Sequence, residues 1–194
     1  MPESVEVHPA TEDRFDDVAV ILNPNGNDRA CWCLAYRAPA ADFSAMRGEQ
    51  RAEYVRGLCA RRPAPGVLAY SGETPIGWCG VGPRSQLERL KRSRTIPTVD
   101  DVPVWSVICF VVRAGFRRQG VAHALLDGAV AYARSHGAPM VEGYPVDPGE
   151  GRINSAAAHV GTVGLFRSAG FELVAETQSR SDRQPRWLMR KDLG

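Results

Sequence analysis

Apolar and polar positions recur along this chain with two periods, one of strands and one of helices, and the changes between them divide it into elements. The clearest apolar run is Val102 to Val112 (VPVWSVICFVV), which reads as a strand. It ends in a short polar loop, Arg113 to Gln119, and Gly120 then starts a helix. In that helix Val121, Ala124, Leu125, Val130 and Ala133 fall near the 3.6-residue period of a buried face. Met140 to Val146 reads as the next strand. Downstream, Ala169-Gly170-Phe171 ends a short helix, with glycine in the left-handed position, and leads into a strand, a polar excursion and a last strand.

The first half is patterned more weakly. Val5 to His8 is a short strand, and Thr11 to Leu22 reads as a helix capped by Thr11 with acids in its first turn. Asn23 to Asp28 is a turn cluster, and Cys31 to Arg37 reads as strand or loop. A helix is predicted from Ser44, its cap, to Ala60, with Met46, Tyr54, Val55 and Leu58 near helical spacing; Pro63 to Gly66 stops it. Val67–Tyr70 and Ile76–Val81 form a hairpin across Ser71 to Pro75. Pro83 to Pro103 is basic (Arg89, Lys91, Arg92, Arg94) and then acidic (Asp100, Asp101), which reads as a solvated arm.

One junction carries chemistry. A strand, a loop bearing Arg and Gly, and a helix N-terminus together make an anion site, because the first amides of a helix lack partners and its dipole favours negative charge. Gly120 lets backbone approach a ligand, Ala122 leaves room in the first turn, and Arg117 and Arg118 are donors suited to phosphate. A pyrophosphate is the natural guest. No Gly-Lys-[Ser/Thr] follows, and Gly115 and Gly120 are wrongly spaced for a dinucleotide turn.

Arg117-x-x-Gly120-x-Ala122 after a strand resembles the pyrophosphate loop of the GNAT superfamily of acyl-CoA-dependent N-acyltransferases, and Thr162 to Leu193 resembles that family's C-terminal half. The resemblance implies an α/β (α+β) fold, a mixed, mostly antiparallel sheet of six or seven strands flanked by helices. The strands ending near Val112 and beginning near Met140 would be parallel neighbours that splay around acetyl-CoA. Backbone groups of Phe110, Val111 and Val112 would then meet the pantetheine arm. Arg117, Arg118, Gln119, Gly120, Val121 and Ala122 would hold the pyrophosphate, with no metal. The implied reaction moves an acetyl group to a primary amine by direct attack in a ternary complex; the acceptor is a small molecule or a protein lysine. Selecting the acceptor is the alternative role for segment 83–103, beside that of a solvated arm.

The chain departs from the family where the proton chemistry usually sits. Ser106 stands at the position of a common glutamate base, Phe166 at that of a tyrosine acid, and His159 where asparagine is common. Three residues are candidate replacements. Glu142 and Tyr144, two apart on one strand, share a face; if it looks into the acceptor cleft, Glu142 can relay an amine proton and Tyr144 can donate to the thiolate. His159 precedes the late helix, and imidazole is the side chain that changes charge nearest neutral pH. Ordered water with positioning is the other route. His8, His123 and His136 read as structural, and Trp32, Trp78 and Trp105 as core before pocket.

Composition narrows the class without naming it. A chain of 194 residues reads as one domain, residues 1–194. Hydrophobic content of 44% and charge of 24% are ordinary for a globular protein, and a net charge of +2 implies neither nucleic acid nor an anionic membrane as partner. The N-terminus shows no secretory pattern and no apolar run reaches the ~20 residues of a membrane span, so a cytoplasmic protein, monomer or homodimer, is expected. Five cysteines without a C-x-x-C pair are expected to be reduced and structural. Two other classes stay open: a CoA-binding sensor or scaffold without chemistry, and a nucleotide- or phosphate-binding protein using the same helix start.

Overall fold

The computed structural model describes residues 4–149, 154 and 157–194. Its strands are β1 (Val5–Pro9), β2 (Gly66–Ser71), β3 (Thr74–Pro83), β4 (Val104–Val112), β5 (Met140–Gly143), β6 (Glu172–Ser181) and β7 (Gln184–Asp192). They join in one sheet of order β1-β2-β3-β4-β5-β7-β6. Every neighbouring pair is antiparallel except β4 and β5, which are parallel, as the sequence predicts. The helices are α1 (Phe15–Leu22), α2 (Ala40–Ala45), α3 (Gly48–Cys59), α4 (Val121–Ser135) and α5 (Val163–Ser168).

Helix α4 covers one face of the sheet. Its buried side chains Val121, Leu125, Leu126, Ala129, Val130 and Ala133 meet Val67, Ile76, Val81, Val107 and Val141 from the strands. Each full Val or Leu burial stabilises by ~1.5–3 kcal/mol, so the apolar stripe is enough to fix the helix on the sheet. The Tyr132 hydroxyl accepts from the Ala64 amide at 2.7 Å and ties α4 to the Pro63 turn. The opposite face packs α1 and α3, through Phe15, Val18, Ile21, Val55 and Cys59, against Leu68, Trp78, Ile108 and Leu188.

Pairing of β4 with β5 runs from Val104–Met140 to Val107–Gly143 and stops there, while β4 continues to Val112. A bulge opposite Gly80 and Val81, where Cys109 and Val107 are the successive partners, shifts the second half of β4. Beyond Gly143 the chain leaves β4, and Val146 bridges to Thr162 and Arg186 instead. The result is an opening beside residues 108–112.

The first half departs from the periodic reading at several places. The helix predicted over 44–60 is two helices, because Met46 is extended and Gly48 sits at φ +43°; Ser44 lies inside α2, and Arg47 is the residue capping α3. Glu12–Arg14 form a 3-10 turn before α1, and the Thr11 hydroxyl accepts from the Arg14 side chain rather than capping a backbone amide. Residues 31–37 are turns, which bury Trp32, Cys33 and Leu34. The largest correction concerns 83–103, which is no solvated arm: Leu87, Leu90 and Ile96 are fully buried against the α1–α3 face. Among the described residues no helix is long and apolar enough to cross a membrane.

Candidate active site

The opening beside β4 leads into a cavity of about 690 Å³. Phe110, Val111 and Val112 form one wall, Arg117, Arg118, Gly120, Val121 and Ala122 a second, and His159, Gly161, Thr162 and Leu165 a third. The loop that shapes it is held to the strand it leaves and to that strand's neighbour, β3. Arg113 donates from its amide to the Ile76 carbonyl (3.0 Å), and Arg117 Nε donates to the Val112 carbonyl (3.2 Å). Arg118 and Gly120 then adopt left-handed backbone, φ +62° and +82°. For a non-glycine residue this costs about 1–3 kcal/mol, a strain that proteins concentrate at ligand sites. Alternating hand turns successive amides to one side, as in an anion nest. Ala124 is the first amide to bond back into the helix, to the Gly120 carbonyl at 3.1 Å, so the amides before it begin the helix without an intrahelical acceptor.

Most of the residues that sequence reasoning assigns to a cofactor thus stand on one cavity. Gln119 is the exception, since its side-chain amide donates to the Gly115 carbonyl at 2.9 Å and it is off the wall. Thr162 was absent from that set. It caps α5 by accepting from the Leu165 amide at 3.2 Å and brings that helix start to the cavity. His123, read as structural, lies on the wall and also holds α4 to α5 through Ser168 at 3.0 Å.

A second cavity, about 730 Å³, shares one lining residue with the first, His159. Its other walls come from residues 35–40, from 88–95 and from the β6–β7 hairpin, whose tight turn at Asp182 and Arg183 has both residues left-handed. Arg186 is buried in that wall. Its Nε donates to the Tyr144 carbonyl (2.8 Å), and its Nη1 to the Tyr36 hydroxyl (2.7 Å) and Ser179 Oγ (3.2 Å). A third cavity, about 520 Å³, has no wall from β4, α4 or α5 and shares only Glu88 with the second.

Glu142 and Tyr144 line none of these cavities, which corrects the reading that makes them an acid and a base facing an acceptor cleft. They do share a face, but that face is closed by residues 84–96. Glu142, 1% exposed, accepts from Arg84 Nη1 (2.7 Å) and Arg190 Nε (2.9 Å) on its two oxygens. Arg190 extends the chain of charges to Asp100 at 2.5 Å, so two guanidiniums meet two carboxylates. The Tyr144 hydroxyl donates to Glu142 Oε1 (2.5 Å) and lies 2.8 Å from Ser106 Oγ. Burial, and then the Glu142 charge, hold the Tyr144 hydroxyl well above its ordinary range. It stays protonated for this bond, and both carboxylate oxygens are already engaged. Arg84 also donates to the Leu90 and Ile96 carbonyls, so the cluster clasps segment 84–96 onto the sheet.

The two departures from the resembled family take structural roles. Ser106 pairs with Glu142 across β4 and β5 and serves the cluster. Phe166 is fully buried, its ring filling the space that side chains at Gly143 and Gly161 would occupy. A β-carbon on Gly143 would lie 2.1 Å from Phe166 Cε1 and 2.5 Å from Cζ. Trp32, Trp78 and Trp105 are core residues and wall none of the three cavities.

Comparison with known proteins agrees with this geometry. The model of the Acetyltransferase (GNAT) family matches residues 32–149. No curated protein matches the chain. Among solved structures, the putative acetyltransferase yncA of Salmonella typhimurium, with its cofactor acetyl-CoA, superposes with a TM-score of 0.58 at 14% identity, over 99% of this chain and 95% of that one. An N-acetyltransferase of Staphylococcus aureus Mu50 gives 0.58 at 12% identity, over 99% and 100%. The paia N-acetyltransferase of Thermoplasma acidophilum, in complex with coenzyme A, gives 0.53 at 12% identity, over 97% and 99%. At these identities the likeness is one of fold.

Proposed function

The chain belongs to the acetyltransferase (GNAT) family, and from that premise we propose that it transfers an acetyl group from acetyl-CoA to a primary amine in a ternary complex. One observation carries the reading: a cavity built from the α4 start and the unpaired end of β4 meets a second cavity at a single shared histidine, His159. The first suits a long anionic co-substrate. Arg117, Arg118 and the amides up to Ala122 hold its pyrophosphate, and the unpaired edge at Phe110 to Val112 offers backbone groups to the pantetheine arm. No metal takes part. The amine enters through the second cavity.

The chemistry then asks little of the side chains. The neutral nitrogen forms its bond to the thioester carbon as the C–S bond breaks, and the proton it loses goes to His159 or water while the thiolate gains one. His159, where the cavities join, is the residue placed for that transfer. Glu142 and Tyr144 contribute by fixing the sheet beneath the site. Apposition of amine and thioester supplies most of the rate.

The locked Glu142, with Ser106 and Phe166 at the usual base and acid positions, favours a second reading, a CoA-binding protein without turnover. Thiol release from acetyl-CoA with a panel of amines separates the two. We expect release that depends on both the amine and the protein; CoA binding without release for any amine identifies the sensor instead.

A further inference from the structure

The second cavity has an unusual charge. Four arginines, Arg89, Arg92, Arg180 and Arg186, line it against one acid, Glu88. That acid is already engaged, 2.7 Å from Lys91 Nζ and 3.9 Å from Arg92. The hydrogen bond from Lys91 holds the Glu88 carboxyl below its ordinary range, so it stays ionised within that pairing. A polycation finds little to bind here.

Arg186 makes the reading specific. It is 4% exposed, and Nε and Nη1 have acceptors, whereas Nη2 has no hydrogen-bond partner. A buried guanidinium N–H without an acceptor carries a desolvation penalty that a native site normally relieves. The other three bonds hold the planar fork rigid, and Tyr36 lies under it, ring centroid 5.9 Å from Cζ. The guanidinium therefore has a fixed position, and Arg186 is part of the cavity wall. A planar or tetrahedral anion is the group that such a fork receives best.

We propose that the acceptor is a small primary amine bearing an anionic group, carboxylate or phosphate, which Arg186 binds while Arg89, Arg92 and Arg180 attract it from the rim. The inference rests on the acetyl-transfer reading for the place of the amine, and names the class of molecule that enters. The volume, about 730 Å³, is that of a small-molecule site, and His159 lies on the side shared with the cofactor cavity. An amine directed toward His159 and an anion held at Arg186 orient the acceptor from both ends. Exposed arginines at the rim act mainly on encounter and the buried one on residence, since a charge pair formed out of water is screened less.

Matched pairs test it: tyrosine against tyramine, and O-phosphoethanolamine against ethanolamine, each titrated by calorimetry into the CoA-saturated protein and each assayed for thiol release from acetyl-CoA. At least one anionic member binds about ten- to a hundredfold tighter than its neutral partner, the range of a hydrogen bond to a charged group. The pair that shows the preference tells carboxylate from phosphate. Arg186→Gln collapses the ratio. Arg180→Gln, an exposed change with no part in the fold, narrows it if Arg186→Gln does not fold. Equal affinities within both pairs, a preference for the neutral amines, or no binding by any of the four overturns the anionic acceptor. Binding preference without thiol release leaves the anion site standing and contradicts acetyl transfer; thiol release at equal efficiency within each pair does the reverse.

Discussion

Two regions of this molecule hold chemically capable groups, and they are built in opposite ways. The cavity at the start of α4 is made largely from backbone: two left-handed residues, a helix start and an unpaired strand edge, open to solvent. The cluster around Glu142 is made from side chains and closed over by segment 84–96, and the Glu142 carboxylate is engaged on both oxygens. An incomplete hydrogen-bond inventory in an accessible place invites a ligand. A completed one in a buried place makes structure. By that measure the carboxylate most like a catalytic base is a strut, and the glycine loop is the site we propose.

The contrast breaks most visibly at Glu142. Glu142→Gln leaves Arg84 and Arg190 facing a neutral amide in a buried setting, and breaking such a pair costs about 3–5 kcal/mol. Denaturant unfolding should show that loss, while turnover of the folded fraction changes by less than about tenfold. A stable Glu142→Gln protein with turnover lowered by about 10²–10⁴-fold would make the cluster catalytic after all. His159→Gln should show the converse, a fall in kcat of the folded protein of about ten- to a hundredfold, roughly 1.4–2.8 kcal/mol. Gly143→Ala forces a methyl into the Phe166 ring, and overpacking of this kind destabilises by about 1–3 kcal/mol. Thermal unfolding of that variant reports whether phenylalanine is held there by packing.

The smallest effect lies at the solvent edge of the cluster. Arg190 donates to Asp100 and holds its carboxyl below the ordinary 3.8. Because the folded value is depressed, the contribution is fully present above pH 3.8 and fades as pH falls through the lower folded value. Asp100→Asn should therefore lower stability slightly at neutral pH and flatten the acid limb of the unfolding curve. An unchanged limb removes Asp100 from the cluster.

The two regions also differ in how far the sequence reveals them. The cavity loop is local: strand, Arg117, Gly120 and Ala122 lie within one short stretch, so periodicity and spacing place them together. The parallel pair and the helix between them follow for the same reason. Glu142 is different, because its partners come from 58 and 48 residues away. Two residues apart on a strand, Glu142 and Tyr144 had to share a face, but alternation cannot say what covers that face. Segment 84–96 covers it through Leu87, Leu90 and Ile96, apolar residues spaced too irregularly among charges to signal burial. A signal does exist: Arg190 directly follows the apolar run Trp187-Leu188-Met189 in the same strand, and a buried cation needs a buried acid. Arg186, one strand position before that run, was legible only once the hairpin had been folded against Tyr36 and Tyr144.

The central claim, that the α4 loop is where CoA is held, is most directly tested by calorimetric titration of CoA into the wild type and Gly120→Asp. Gly120 has open space around it, so the new side chain adds a negative charge at the nest and strains a left-handed position without a packing clash. Melting temperature checks that the variant is folded. The account predicts that wild type binds CoA and that folded Gly120→Asp loses at least about a hundredfold in affinity, roughly 2.8 kcal/mol. A folded Gly120→Asp protein that binds CoA as the wild type does would contradict it.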